Sequence, residues 1–324
     1  MTDLKKSITL RAARRLRRRF PLIVWVALSS LTSGVARAQQ FLPLWQKDHI
    51  PDTRWPVNDS IVNHRYYQVG MPGMYVFHPA EEQNTGGAVL ICPGGGYAHI
   101  TYQSGGFTLA KWFNVMGMTA FVLIYRLPNA PNLTDRAVAP GQDAQRAMRL
   151  IRMHADEWHI DTGKIGVMGA SAGGHVAAFL GTSARDVSSV GDSADQYTFR
   201  PDFMILVSPV ITMGAYAHKG SRKSLLGDNP SEKTKQAFSC ELHVTSQTPP
   251  CFIADAFNDP TVDPHNSLLF YQALLNHHVP ASFHVFPQGG HSIAMRNNPG
   301  STRYWNLLCE SWLREMHFLG TPVK

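Results

Sequence analysis

The sequence predicts an α/β protein with a mostly parallel central sheet and helices on both faces, and three observations carry that prediction. The apolar runs Ala88 to Cys92 (AVLIC) and Thr119 to Tyr125 (TAFVLIY) have the length and composition of strands buried on both sides. From about residue 74 to the C-terminus such runs alternate with segments of helical periodicity, the order that crossover connections require. The 324 residues are 44% hydrophobic and 16% charged, which supplies enough apolar surface for one large core.

The chain opens with a basic leader. Residues 1 to 38 hold Lys5, Lys6, Arg11, Arg14, Arg15, Arg17, Arg18, Arg19 and Arg37 against one acid, Asp3. Removing these nine basic groups and one acid from totals of 30 and 23 leaves 21 against 22, so the formal charge of +7 belongs to the leader. A nucleic-acid partner is therefore not expected. After Arg19 come an apolar stretch, Leu22 to Leu28 with a weak extension to Leu31, and small residues ending in Ala36-Arg37-Ala38. That order is a signal peptide with an A-x-A cleavage site, giving Gln39 as the new N-terminus and an exported, periplasmic or secreted protein. A spanning helix needs about 20 apolar residues and this stretch is too short, so no stable membrane insertion is expected after cleavage. Arg17-Arg18-Arg19-Phe20 resembles a twin-arginine pattern, which leaves the export route open.

Residues 39 to 73 are rich in Pro, Trp, Asp and Asn without steady periodicity and read as an irregular arm. The remainder, 74 to 324, reads as one domain. Its expected strands are Met74 to His78, Ala88 to Cys92, Thr119 to Tyr125, Lys164 to Met168, Phe203 to Val207, Pro250 to Ala256 and Ser282 to Phe286. Helices are expected over Phe107 to Val115, Gln142 to Trp158, Ala172 to Leu180, Ser267 to His277 and Tyr304 to Phe318. The polar stretch between Val207 and Pro250 is long enough for a short cap. Of four cysteines, Cys240 and Cys251 flank a short loop and are the nearest pair for a disulfide; buried free thiols are the other reading.

Gly169-Ala170-Ser171-Ala172-Gly173 is a G-x-S-x-G pentapeptide. The pattern alone is common, but KIGVM before it and AGGHVAAFL after it supply the strand, sharp turn and helix of a nucleophile elbow. A serine hydroxyl needs a base to remove its proton and donors for the oxyanion that develops. Donors are expected from the backbone of Gly95 and Gly96, in the Pro93-Gly94-Gly95-Gly96-Tyr97 loop after AVLIC, and from Ala172. No Lys-Ser or Lys-Thr pair follows those glycines, which argues against a phosphate loop. The base is expected at His291, because Gly289-Gly290-His291 follows the last strand; His284 lies inside that strand and His277 and His278 at a helix end. His175, in the first turn after Ser171, is expected to pack. For the acid, Asp259 lies just past the strand CFIADAF, with Asp255 inside the strand and Asp263 beyond as alternatives. Neither H-E-x-x-H nor a cluster of ligands at metal spacing occurs, so no metal and no cofactor are expected.

Together, ICPGGGY, VMGASAGGHVAA, NDPTVDPHNSLLFYQALL and FPQGGHSI resemble the bacterial acetyl-xylan-esterase and pectin-acetylesterase-like branch of the α/β-hydrolases, from about Met74 to the C-terminus. The glycine loop is similar to the H-G-G-G of lipase-type relatives, with Pro93 in place of the histidine. The resemblance implies an α/β-hydrolase fold, a Ser171-His291-Asp259 triad acting through an acyl-enzyme, and removal of acetyl groups from cell-wall carbohydrate such as xylan or pectin. Asp263 stands where a proline is usual. A general short-chain carboxylesterase, a feruloyl esterase and an exported sugar-binding protein without turnover are the competing readings.

Overall fold

The structure, a computed structural model, describes residues 40–291, 293 and 295–320. The expected leader and its cleavage site lie outside the described residues.

Eight strands form the main sheet: β1 (Gln40–Pro43), β4 (Gly73–Phe77), β5 (Ala88–Cys92), β6 (Thr119–Ile124), β7 (Ile165–Ala170), β8 (Met204–Val207), β9 (Cys251–Ala256) and β10 (Ala281–Phe286). Their spatial order is β1-β4-β6-β5-β7-β8-β9-β10. From β6 to β10 every pairing is parallel, and β4 and β1 add antiparallel at one edge.

Side chains alternate between the faces as the pleat requires. Ala88, Leu90 and Cys92 of β5 join one core with Phe121 and Leu123 of β6, while Val89 and Ile91 join the opposite core with Ala120 and Val122. The first core is covered by α2 (Ala139–Met153), α3 (Ala172–Thr182) and α6 (His265–Asn276) through residues such as Ile151, Val176 and Phe270. The second lies under α1 (Thr108–Val115) and α7 (Trp305–Glu315), through Phe113, Trp305 and Leu313. A continuous apolar run is therefore what a strand between two helical layers must show. Two short helices, α4 (Lys219–Leu226) and α5 (Glu232–Ala237), stand in the polar stretch between β8 and β9.

The sheet also positions the site. Beyond β5 the chain moves to β6 on one side, then returns to β7 on the other, so the loops after β5 and β7 leave neighbouring strand ends in opposite directions. Crevices at the carboxyl ends of parallel strands form at such switch points. Here Cys92 is paired in register with Gly169, which sets the glycine loop beside the G-x-S-x-G turn.

Several expectations change. The segment from 39 to 73 is not irregular throughout. Its first described residues, β1, complete the edge of the main sheet, where Pro43 costs no ladder bond in the interior. Further on, β2 (Ser60–Val62) and β3 (Arg65–Gln68) pair through a two-residue turn, Asn63-His64, with φ of 46° and 59°. Two successive positive φ values match a type I′ hairpin turn, which Asn tolerates well. Trp45 fixes the arm to the body: its Nε1–H donates to Asp143 Oδ1 at 2.8 Å, and the same buried carboxylate pairs with Arg126 at 2.7 Å.

Helix α2 begins three residues earlier than its apolar periodicity indicates, with Pro140 in the first turn, where its missing N–H is no loss. Its charged face is covered as well: Arg146, Arg149 and Arg152 pair with Asp192, Asp186 and Asp202 at 2.5, 2.6 and 3.3 Å. All four cysteines are free and buried, so the Cys240–Cys251 disulfide is not formed. Cys240 lies against the His175 carbonyl below α3, whereas Cys251 opens β9, and burial pushes both thiols up and away from the reactive thiolate.

Candidate active site

Ser171 occupies the turn between β7 and α3 with φ 55° and ψ −125°, a conformation that ordinary residues avoid. Its neighbours explain the glycines. A Cβ on Gly169 would run into the Gly173 carbonyl, and one on Gly173 into the Cys92 carbonyl. The turn is held from below, since the Ser171 N–H donates to Val207 O at 3.2 Å and Ser171 O accepts from Val210 at 2.9 Å.

The loop after β10 brings His291 over this turn. His291 Nδ1 lies 2.7 Å from Asp259 Oδ2 and Nε2 lies 2.8 Å from Ser171 Oγ. A carboxylate can only accept, so Nδ1 carries the proton, Nε2 is left with a lone pair, and the serine hydroxyl donates to it. Gly290, at φ 59°, shapes the approach, and its N–H donates to Asn258 Oδ1 at 2.9 Å.

Asp259 follows β9 in a tight turn. Burial works to raise its pKa, but the bonds from His291 and from the N–H groups of Thr261 and Val262, at 2.8 and 3.0 Å, outweigh it and hold the carboxyl below its ordinary value. The two other acids go elsewhere. Asp255 accepts from Ser267 Oγ at 2.6 Å and from its neighbour's N–H, Ala256, at 2.8 Å; burial pushes its carboxyl up to about 6. Asp263 bonds His265 at the start of α6.

The expected oxyanion donors belong to the glycine loop after β5, whose strand end pairs with the start of the serine turn at Cys92 and Gly169, and to the first residue of α3. Gly95, Gly96 and Tyr97 take three successive positive φ values, 139°, 64° and 60°. A Cβ on Gly95 would strike the His99 carbonyl, whereas Gly96 has open space and needs glycine for its φ alone. A Cβ on Gly94 would run into the Ala170 carbonyl and crowd Ser171 Cβ. Ala172 is the first residue of α3, so its N–H has no partner within the helix. Among the described residues no backbone carbonyl accepts from Gly95, Gly96 or Ala172.

Residues the motifs did not single out hold this loop. The Tyr125 hydroxyl donates to Pro93 O at 2.8 Å and Thr101 Oγ1 to Gly94 O at 3.1 Å. His175 is buried: its Nε2–H donates to Phe238 O at 2.7 Å and its Nδ1 accepts from the Tyr97 hydroxyl at 2.7 Å. Asn258, the residue before Asp259, belongs with them. The advance signs of these roles are slight: Tyr97 adjoins the three glycines, Asn258 adjoins the acid, and His175 is expected only to pack. Among the described residues no group of three or more His, Cys, Asp or Glu could hold a metal ion. No described helix is long and apolar enough to cross a membrane.

A serine donating to an imidazole that is held by a carboxylate, next to a glycine loop whose Gly95 and Gly96 N–H groups meet no backbone carbonyl among the described residues, is an arrangement suited to acyl transfer. Comparison with known proteins agrees in kind. Residues 74–274 match the BD-FAE family model. A crystal structure of an acetyl ester-xyloside bifunctional hydrolase from Caldicellulosiruptor lactoaceticus is 34% identical, with a TM-score of 0.75 over 89% of this chain and 100% of that one. An acetylxylan esterase of Xylanibacter ruminicola is 33% identical over 229 residues, 68% of this chain and 44% of its own length. An endo-1,4-beta-xylanase B of Butyrivibrio fibrisolvens is 38% identical over 210 residues, 65% of this chain and 33% of its own length. The chain thus spans less than half the length of these two relatives.

Proposed function

The chain belongs to the BD-FAE family and has the α/β-hydrolase fold, and on that footing we propose that it is a serine esterase removing acetyl groups from xylan-type carbohydrate. The observation that carries the proposal is the continuous hydrogen-bonded path from Ser171 through His291 to Asp259. The names of the similar proteins support an acetylated xylan fragment as substrate.

In the proposed reaction, Ser171 Oγ attacks the acetyl carbonyl carbon while its proton moves to His291 Nε2. The carbonyl electron pair moves onto oxygen, to which the N–H groups of Gly95, Gly96 and Ala172 donate hydrogen bonds. Asp259 keeps the imidazole oriented and stabilises its cationic form. Collapse of the intermediate breaks the bond to the sugar oxygen, which takes the proton from His291 and leaves. Water then gives a proton to His291 as it attacks the acetyl-serine; acetate departs and the proton returns to Ser171 Oγ. All charge changes are handled by the chain's own groups, and the reading uses no cofactor.

Export is part of the proposal, supported by the basic leader and the Ala36-Arg37-Ala38 site; sequencing the mature N-terminus from the producing cell would find Gln39. To test the chemistry, the protein is mixed with p-nitrophenyl acetate, quenched in acid within the first turnover and digested. One acetyl group on the peptide containing Ser171 is the expected product. Turnover with the acetyl group on another residue, or on none, would overturn the assignment.

A further inference from the structure

We propose that the cavity lined by Tyr216, His218, Thr261 and Asp263, next to Asp259, is a binding subsite for the sugar that carries the ester, with Tyr216 as its packing surface and the His218 Nε2–H as its hydroxyl donor. The proposal rests on the esterase reading above and assigns the leaving-group side of that site. The cavity measures about 320 Å³, in the lower part of the range for small-molecule sites. It adjoins the triad directly, because Thr261 in its wall donates its N–H to Asp259 Oδ1 at 2.8 Å.

Each group in it is held in place. His218 is the N-cap of α4: its Nδ1 accepts from the Ser221 N–H at 3.2 Å and lies 2.8 Å from Ser221 Oγ. That contact fixes the tautomer, leaving the proton on Nε2, which meets no acceptor among the described residues. Burial, and then the neighbouring His291, lower the His218 pKa, so the ring stays a neutral donor. Tyr216 is 40% exposed and stacks on His265, with ring centroids 4.2 Å apart and planes at 5°. His265 is held in turn by Asp263 Oδ1 at 2.7 Å, and the Tyr216 carbonyl accepts from Asn266 Nδ2 at 2.9 Å. Both bonds from His265 reach Oδ1, so Asp263 Oδ2 is a spare acceptor, and its bonds from the His265 N–H and ring keep the carboxyl below its ordinary value and ionised.

A supported aromatic ring, one fixed N–H donor and one carboxylate acceptor suit a ring with an apolar C–H face and hydroxyls at its edge. A long acyl chain would leave the donor and the acceptor without partners. The cavity therefore fits the alcohol side of the ester.

Two variants test this, each made alone and in a Ser171→Ala background. His218→Asn keeps a favoured capping residue on α4 while removing the Nε2–H. Tyr216→Ala removes the ring. Binding of unacetylated xylotriose to the Ser171→Ala protein is measured by titration calorimetry, and kcat/KM is compared between acetylated xylo-oligosaccharides and p-nitrophenyl acetate. Either substitution is expected to weaken xylotriose binding about tenfold and to lower the saccharide-to-aryl selectivity about tenfold through KM, in line with the loss of a packed ring or a hydrogen bond. Kd and selectivity within twofold of the parent, while acetate is still released from the saccharides, would overturn the subsite alone. A parent that hydrolyses the aryl ester yet neither binds xylotriose nor deacetylates any saccharide would overturn the subsite together with the carbohydrate reading.

Discussion

Tyr97 and His175 are 78 residues apart in sequence, yet the tyrosine hydroxyl donates to the imidazole Nδ1 at 2.7 Å inside the protein. That bond ties the glycine loop after β5 to the helix that follows Ser171, and through Phe238 to the segment after α5. A buried histidine four residues from the serine thus acts as a strut between the two sources of expected oxyanion donors.

Tyr97→Phe removes this bond and leaves Nδ1 buried without a partner. A loss of about 1 to 3 kcal/mol in denaturant unfolding is expected, together with a severalfold fall in kcat on aryl acetates as Gly95 and Gly96 lose their fixed position. Parent values in both measurements would show that the strut is dispensable.

The identity of the acid is open to a paired substitution. Asp259→Asn removes the acceptor that orients His291 and should lower kcat by about 10³ to 10⁴-fold with little change in KM. Asp255→Asn, within β9 and bonded to Ser267, should keep most of the activity. Comparable losses in kcat from both substitutions would contradict the distinction.

Two buried groups make stability depend on pH in opposite senses. Burial pushes Asp255 up from 3.8 to about 6, so the folded protein holds this proton more tightly; its contribution is complete below about pH 3.8 and is lost as pH rises through 6. His175 is pushed down by burial from 6.5 to about 4, so its contribution is complete above pH 6.5 and is lost as pH falls through 4. Asp255→Asn abolishes the first effect. Relative to wild type, the variant should gain up to about 3 kcal/mol between pH 4 and pH 7. Unfolding curves at the two pH values check this, and a constant offset between the proteins would contradict it.

On the esterase reading, the two polar helices between β8 and β9 offer a long acyl chain few apolar contacts. They present exposed ion pairs, Lys223–Asp228 at 2.8 Å and Lys235–Glu232 at 2.6 Å. A methylene contributes about 0.8 kcal/mol only when apolar walls surround it. On p-nitrophenyl esters kcat/KM should therefore fall steeply from acetate through butyrate to octanoate, and a maximum at octanoate would favour a lipolytic enzyme.

Much of this was legible in the sequence because the relevant signals are local. Buried strands show as AVLIC and TAFVLIY whatever lies beside them, and the turn around Ser171 needs glycines that can be read directly. The loops ending in Asp259 and His291 follow strands, so chain order indicated them before any geometry did. What could not be read depends on partners distant in sequence. The pairing of Gln40–Pro43 with β4 rests on edge hydrogen bonds that leave no periodicity in four residues. The buried arginines of α2 look like a solvated face until the segment carrying Asp186, Asp192 and Asp202 covers them. The cysteines 240 and 251 are close along the chain and share one core, but Cys240 lies against the His175 carbonyl while Cys251 opens β9.

The central claim is tested most directly by mass-spectrometric measurement of acetate released from acetylated xylan and acetylated pectin, with wild type and Ser171→Ala side by side. The account predicts release from xylan by the wild type and a loss of about 10³-fold or more in the variant, which keeps its melting temperature because the lost hydroxyl fills no core space. Equal release by both proteins, or none from any acetylated carbohydrate by a folded wild type, would contradict it.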